Sequence, residues 1–308
     1  MPASPNTLVI LGPTASGKTG LAVRLARAFG GEVVSADSRQ VYRGLDIGSG
    51  KDLDEYIVDG DPVPYHLINI ADLAHEFSVF DYQQAFYAAF DCLQGRRVLP
   101  VVCGGTGLYL EAVLKNYRMV AVPEQAELRA ELEALADDAL VARLAAARGA
   151  LHNTTDTQDR SRAIRAIEIA EYTAQHEPEP APEVRPLILG TRWERDVLRK
   201  RIQARLNARL DDGMVDEVED LVSQGIPEAR LQALGLEYRF ISDFINGQIK
   251  NKNDLKQKLS AAIYQFARRQ ASWYRRMERR GSKIHWISEA EFGEAKSLVA
   301  EHFTGAPS

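Results

Sequence analysis

Gly12-Pro13-Thr14-Ala15-Ser16-Gly17-Lys18-Thr19 fits the pattern G-x-x-x-x-G-K-[ST], and its surroundings restrict the fold as tightly as the motif does. Before it, Thr7-Leu8-Val9-Ile10-Leu11 reads as a buried parallel strand; after it, Leu21, Ala22, Leu25, Ala26 and Phe29 recur at helical spacing. In that order, strand, loop and helix turn the loop N–H groups and the positive helix end toward one anion. Lys18 adds a point charge on a phosphate, and the Thr19 hydroxyl can hold a magnesium ion. An ordinary glycine-rich turn needs none of this order. The chain is expected to bind a di- or triphosphate.

The same alternation continues. Glu32-Val33-Val34-Ser35-Ala36 and Val98-Leu99-Pro100-Val101-Val102 read as strands, with a helical stretch over 79–93 between them. Strands alternating with helices predict an α/β fold of the P-loop NTPase type, a parallel sheet flanked by helices. Gly104-Gly105-Thr106-Gly107 then opens a helix over 108–114. From 124 to 147 the chain changes to Ala, Leu, Glu and Arg, with Leu128, Leu132, Leu135, Leu140 and Leu144 at helical spacing. Another helix is expected over 157–173, and Glu177-Pro178-Glu179-Pro180-Ala181-Pro182 reads as a stiff linker before strand character returns at 187–190. We therefore expect an all-helical insert over 120–184 in a catalytic core made of 1–119 and 185–308. The remainder reads as helices over 194–210, 215–223, 237–245 and 254–280, then a short strand at 283–287 and a terminal helix.

With 308 residues, 45% of them hydrophobic and 26% charged, the composition is that of an ordinary globular protein. No apolar run approaches the roughly 20 residues that span a bilayer, and the N-terminal residues lack a charged-then-apolar signal pattern. A cytoplasmic enzyme without membrane contact is expected. Cys92 and Cys103 form no C-x-x-C pair, which argues against a disulfide framework or a zinc site, and Cys103 reads as a small hydrophobe near a strand end. The net charge of −5 does not advertise nucleic-acid binding, yet base gathers in Arg268-Arg269, Arg275-Arg276 and Arg279-Arg280 while acid gathers around 211–220. Such asymmetry can hide a basic face behind an acidic average.

Kinases and hydrolases with this loop usually end a nearby strand in an acid that helps hold magnesium. Here 98–102 is followed by Cys103-Gly104-Gly105-Thr106, which disfavours ATP hydrolysis; Thr106 offers a hydroxyl instead. An acid does follow the second strand, in Ala36-Asp37-Ser38-Arg39-Gln40. The carboxyl ends of neighbouring parallel strands share one crevice, so Asp37 should lie near the ligand's reacting end, where a carboxylate can accept a proton. Gln40 carries the amide suited to an adenine edge. Spacing alone leaves open a turn-forming Asp37 and a solvated Gln40.

GPTASGKT, SADSRQVYRGLDIGSGK, VPYHLINI and CGGTGLYLEAVL follow one another in the order and spacing of the bacterial tRNA dimethylallyltransferases, and DRSRAIRAIEI, RIQARLNARLDDGMVDEV and FARRQASWYRR resemble that family's later blocks. The resemblance covers nearly the whole chain. It departs at Gly48-Ser49-Gly50-Lys51-Asp52, where the usual pattern is closer to G-T-A-K-P, and at Leu234-Gly235-Leu236-Glu237-Tyr238-Arg239, in place of A-V-G-Y-R. It implies transfer of a dimethylallyl group from dimethylallyl diphosphate to N6 of the adenosine 3′ of the anticodon, position 37, in tRNAs reading codons that begin with U. Asp37 then stands as general base. Gly12 to Thr19 hold the diphosphate, with magnesium (Mg2+) at Thr19, and Arg205, or less fittingly Arg201, clamps it as a bidentate guanidinium can. Asp37, Ser38, Arg39, Gln40 and Thr106 would receive the flipped adenosine. Arg129, Ser161, Arg162, Ala163, Ile164 and Arg165 of the insert, with Arg275 and Arg276 of the basic helix, would contact the anticodon stem-loop. Ile263, Phe266, Trp273, Tyr274 and Met277 read as that helix's apolar stripe, His66 as a structural imidazole, and the enzyme as a monomer.

Competing readings share parts of this pattern. An adenylate isopentenyltransferase would use the same donor on a free nucleotide, but needs neither insert nor basic helix. A small-molecule kinase would carry the loop, and is disfavoured by Asp37-Ser38-Arg39-Gln40 and by the missing acid after 98–102. A non-catalytic RNA-binding protein would have no use for an intact Lys18, Thr19 and Asp37.

Overall fold

Strand β1 (Thr7–Leu11) is buried at every residue and lies inside a six-stranded parallel sheet. Around it stand β2 (Gly31–Ser35), β5 (Tyr65–His66), β6 (Leu99–Gly104), β7 (Pro186–Arg192) and β8 (Ile284–Ser288), in the order β5-β2-β6-β1-β7-β8. Leu8 sits opposite both Val101 and Leu187, so apolar rungs run straight across the sheet. Because β6 separates β1 from β2, the loops after these strands diverge and open a crevice at their carboxyl edge. Helices cover both faces, as a fully buried parallel sheet requires. The structure, a computed structural model, describes residues 4–148 and 159–303.

The helices follow from their local signals. Helix α1 (Lys18–Phe29) starts after Gly17, whose φ of 78° suits glycine, and ends at Gly30, also left-handed. Its Leu21, Ala22, Leu25 and Ala26 are buried. Helix α2 (Val79–Gly95) opens with a capping box between Ser78 and Asp81, and α3 (Gly107–Leu114) follows β6 directly. After β7 come α7 (Arg195–Asp211), α8 (Met214–Ser223), α9 (Glu228–Ala233), α10 (Leu236–Ile245) and the 28-residue α11 (Lys252–Arg279); α12 (Phe292–Phe303) follows β8. A second apolar core, including Leu45, Leu206, Met214, Leu255 and Leu259, joins the loop after β2 to α7, α8 and α11. The hairpin of β3 (Ile57–Val58) with β4 (Asp61–Pro62), the short strand β5 and the helix α9 have no counterpart in the sequence reading.

The chain divides into two compact units, Met1–Asn116 with Pro182–Ser308, and Tyr117–Ala181. The smaller unit holds α4 (Ala126–Glu133), α5 (Asp137–Arg148) and α6 (Arg160–Thr173) around Leu132, Leu140, Leu144, Ile164 and Ile167. The stretch of helical periodicity over 124–147 forms two helices, α4 and α5, and Asp137 and Asp138 fall in the first turn of the second, where negative charge is favoured. Residues 157 and 158, read as the beginning of the next helix, lie outside the described residues.

Candidate active site

A cavity of about 550 Å³ opens at the carboxyl edge of the sheet. That volume is in the range of small-ligand sites. Thr14, Lys18 and Thr19 of the phosphate loop line it together with Asp37, Ser38, Arg39 and Gln40 after β2, and Gly104, Gly105 and Thr106 at the end of β6. Burial, and secondarily the Arg205 guanidinium, lower the Lys18 pKa, while Asp37 and Glu55 pull it the other way. Burial also pushes the Cys103 thiol up to about 12, so Cys103 stays a neutral packing group.

The loop is braced from behind by side chains far away in sequence. Tyr274 donates to the carbonyl of Gly12 (3.0 Å), Trp193 Nε1 to that of Ser16 (2.8 Å) and Arg201 Nε to that of Ala15 (2.9 Å). The Thr191 hydroxyl donates to Ser16 Oγ at 2.6 Å. Thr14 N–H donates to Gln270 Oε1 (2.9 Å), so this amide is turned to the protein instead of a ligand. Pro13 contributes its carbonyl, 3.4 Å from Lys18 Nζ.

Asp37 is half-buried and its Oδ1 accepts the N–H of Arg39 at 2.9 Å, leaving Oδ2 with no hydrogen bond among the described residues. It is therefore both the turn-former and a cavity carboxylate. Thr106 Oγ1 accepts the N–H of Ser38 (3.0 Å), joining β6 to the loop after β2. The open reading of Gln40 is corrected on both sides: its side chain is buried, accepts from Ser35 Oγ (2.8 Å) and donates to the Gly50 carbonyl (2.9 Å). It props the cavity wall, with little left for a base edge.

Arg201 and Arg205 separate clearly. Arg201 stacks on Trp193, 4.1 Å from the ring centroid, and holds the Ala15 carbonyl; Arg205 lines the cavity. Arg209, one turn beyond Arg205, lines it too and was missed, although 201, 205 and 209 recur at the helical interval of four. Both cavity arginines pair with Asp52, at 2.6 Å for Arg205 and 3.2 Å for Arg209. Burial alone would raise the Asp52 pKa, but the two guanidiniums outweigh it and the net direction is down. Glu55 and Glu237 move up, chiefly through burial.

The two departures from the family pattern meet in this wall. Gly48, Ser49 and Gly50 line the cavity, as do Gly235 to Arg239, and the Tyr238 ring lies so close to Gly48 that a Cβ there would stand 2.7 Å from it. Glu217 latches the first segment, accepting the N–H groups of Asp46 (2.9 Å), Ile47 (2.6 Å) and Gly48 (3.0 Å) and the Tyr238 hydroxyl (2.8 Å). Lys51 is buried and donates to the Tyr42 carbonyl (2.7 Å), Asp46 (2.6 Å) and Asn69 (2.5 Å), a structural role.

Several residues expected to touch RNA are engaged elsewhere. Arg129 makes a two-pronged pair with the buried Glu168 (2.8 and 2.9 Å), and Arg165 donates to Glu168 (3.1 Å) and to the Val122 carbonyl (2.8 Å). Ala163 and Ile164 face the core of their unit; Ser161 and Arg162 are exposed. Arg276 pairs with the buried Glu111 at 3.1 Å and covers the Trp273 ring, whereas Arg275 is exposed and, among the described residues, reaches only Ser272 (2.9 Å). Along α11 the apolar stripe also divides: Tyr274 and Met277 are buried in the core, whereas Ile263, itself buried, and the more exposed Phe266 and Trp273 line the cavity. His66 holds Glu32 at 2.7 Å, with Arg96 on the same carboxylate.

The IPP transferase family model matches residues 40–277, and the isopentenyl transferase model matches 5–61. The chain belongs to the IPP transferase family. It is 58% identical to tRNA dimethylallyltransferase 1 of Geotalea uraniireducens over 92% of each chain, and 56% identical to tRNA dimethylallyltransferase 2 of Syntrophotalea carbinolica over 92% of this chain and 95% of the relative. Among solved structures, the tRNA isopentenylpyrophosphate transferase of Bacillus halodurans superposes with a TM-score of 0.69 at 31% identity, covering 97% of this chain and 96% of that one. A eukaryotic dimethylallyltransferase acting on tRNA shares the fold, with a TM-score of 0.80 at 20% identity over 99% of this chain and 81% of its own. The expected family, its prenyl-transferring class of enzyme and the P-loop-like α/β fold are borne out. Among the described residues no helix is long and apolar enough to cross a membrane.

Proposed function

We propose that this enzyme transfers a dimethylallyl group from dimethylallyl diphosphate to N6 of the adenosine 3′ of the anticodon, position 37, in tRNAs reading codons that begin with U. The observation that carries the reading is the meeting of Asp37 with Lys18, Thr19 and Arg205 in one cavity. A proton acceptor and a set of anion-binding groups there serve the two ends of one displacement. The N6 amine is a weak nucleophile because its lone pair is delocalised into the ring. Asp37 accepts the N6 proton as the new C–N bond forms. The C–O bond to diphosphate breaks in the same displacement, and the charge left on the departing oxygen meets Lys18, Arg205 and Arg209, as an oxyanion meets preorganised donors.

The donor set also fits a magnesium ion. Among the described residues no cluster of three acidic, histidine or cysteine side chains could enclose a metal, and magnesium is held at phosphate sites by few protein ligands, substrate oxygens and water. Thr19 would hold it, and a bound ion would add positive charge beside the leaving group. The prenyl chain has apolar walls available in Tyr56, Leu108, Ile263, Phe266 and Trp273. For the anticodon stem-loop, the exposed Ser161 and Arg162 of the helical unit and Arg275 of α11 keep free faces, and RNA is read there through charge. The enzyme works in the cytoplasm as a monomer.

Labelled dimethylallyl diphosphate, offered with bulk tRNA or with AMP, tests this. Label in tRNA alone is the expected result; label in AMP alone would make the enzyme an adenylate isopentenyltransferase. Label in neither would overturn the prenyl-transfer reading.

A further inference from the structure

Asp52 occupies a place where its carboxylate has a local use and does not take it. It stands at the N-cap of the short 3₁₀ turn Leu53–Tyr56, where an aspartate ordinarily accepts an N–H of its own turn, yet it makes no such bond. Its carboxylate is directed at the cavity arginines. Oδ2 lies 2.6 Å from Arg205 Nη2 and 3.2 Å from Arg209 Nη2, with Oδ1 3.4 Å from the latter. Asp52 holds a left-handed backbone, φ 44° and ψ 52°, which non-glycine residues adopt at a cost and aspartate more readily than most. Two positions earlier Gly50 has φ 68°, and a Cβ there would overlap the guanidiniums of Arg209 and Arg205. The backbone is thus shaped to bring one carboxylate onto two arginines.

Those arginines line the same cavity as Lys18, and the side chain of Arg209 is only 12% exposed. Without an anion, two neighbouring guanidiniums repel each other, and desolvation adds to the penalty. One carboxylate relieves this. A diphosphate carries more charge and more acceptor oxygens than a carboxylate and suits the planar donor fork better. We propose that Asp52 is the resident counter-anion of the diphosphate clamp, holding Arg205 and Arg209 in the ligand-free enzyme and yielding them to a phosphate group when the ligand enters. Glu217 fixes the other end of this loop through Asp46, Ile47 and Gly48, so the exchange is confined to the Asp52 end. On departure of diphosphate, the carboxylate returns and speeds release.

This inference rests on the diphosphate site proposed above, and the experiment keeps the two apart. Calorimetry with inorganic diphosphate is run on the parent, Lys18→Ala, Asp52→Asn and Asp52→Gly, the glycine variant being free of backbone strain at this position. The parent should bind, Lys18→Ala should bind more weakly, and both Asp52 variants should bind about tenfold more tightly, the size of one charge-assisted hydrogen bond regained. In turnover, Asp52→Asn should show a lower KM for dimethylallyl diphosphate and a lower kcat, with its single-turnover rate unchanged, because release becomes limiting. If both Asp52 variants bind diphosphate equally or more weakly than the parent, Asp52 is only a brace. If the parent does not bind, or Lys18→Ala binds like the parent, the diphosphate site itself falls and this proposal with it.

Discussion

The Tyr274 hydroxyl donates to the Gly12 carbonyl over 3.0 Å, tying α11 to the first residue of the phosphate loop. One turn earlier on the same face, Gln270 accepts from Thr14 N–H and donates to the Gly105 carbonyl, both at 2.9 Å. A helix whose outer face carries arginines therefore shapes the anion site with its inner face. Tyr274→Phe removes one donor and leaves a buried carbonyl short of a partner, which should cost about 1–3 kcal/mol of stability. Diphosphate affinity should fall with it, while the salt dependence of tRNA binding stays at the parental slope. Denaturant melts and diphosphate calorimetry check this; parental values in both would mean that Tyr274 merely fills space.

Asp37 serves two purposes that one substitution separates. Asparagine at 37 keeps an oxygen for the Arg39 N–H and hence the turn, but cannot accept the N6 proton. Asp37→Asn should bind tRNA and diphosphate like the parent and lose about 10²–10⁴-fold in the chemical step. A single-turnover rate within a few fold of the parent would remove Asp37 from the base role.

What could be read from the chain was whatever local order dictates. The strand, glycine loop and helix around 7–29 needed nothing distant, and Asp37 followed from the rule that parallel strands share a carboxyl edge. Arg205 came through resemblance. Its partner Asp52 was invisible, because a contact between positions 52 and 205 depends on a left-handed backbone that only the folded loop reveals. The roles of Arg129, Arg165 and Arg276 misled for a related reason. An arginine on a helix looks solvated in sequence, and the buried carboxylates that claim Arg129 and Arg276, Glu168 and Glu111, lie in other helices, while Arg165 reaches Glu168 one turn along its own helix, whose burial only the fold reveals. Short elements such as β5 and α9 carry too few residues for periodicity to register.

Thr19 is the one hydroxyl of the phosphate loop that both lines the cavity and follows Lys18. Thr19→Ala should raise the magnesium concentration needed for half-maximal turnover and weaken diphosphate binding in the presence of magnesium. Without magnesium the two proteins should bind diphosphate alike. An unchanged magnesium titration would take Thr19 out of the metal site.

Arg275 and Arg276 are neighbours with different work. Arg275→Ala should leave the melting temperature near the parental value and lower the slope of log K for tRNA against log salt by about 0.7–0.9, one phosphate contact. Arg276→Ala uncovers Trp273 and leaves Glu111, only 1% exposed, with Arg280 at 3.6 Å as its remaining partner. That variant should lose about 1–3 kcal/mol of stability. Should Arg276→Ala melt like the parent and Arg275→Ala keep the parental slope, the division of labour drawn here is wrong.

The helical unit should be sensitive to acid through one carboxylate. Burial raises the pKa of Glu168, but hydrogen bonds from Arg129, the Gln125 N–H and Arg165 outweigh it, so the folded value lies below the ordinary one. A depressed carboxylate contributes stability that is present above its unfolded pKa and lost as pH falls through the folded value. In the full-length protein, amide protection over Arg160–Thr173 should therefore hold at neutral pH and decline on acidification below the ordinary glutamate range. Glu168→Gln should lower that protection at neutral pH and flatten its acid dependence, since a neutral amide cannot answer two arginines. Arg162→Ala, at an exposed position whose side chain lies 3.8 Å from Asp159, should leave protection unchanged and weaken tRNA binding alone. Hydrogen exchange from neutral pH down to pH 3 reads all three proteins, and an acid profile in Glu168→Gln equal to the parent's would assign the sensitivity to another group.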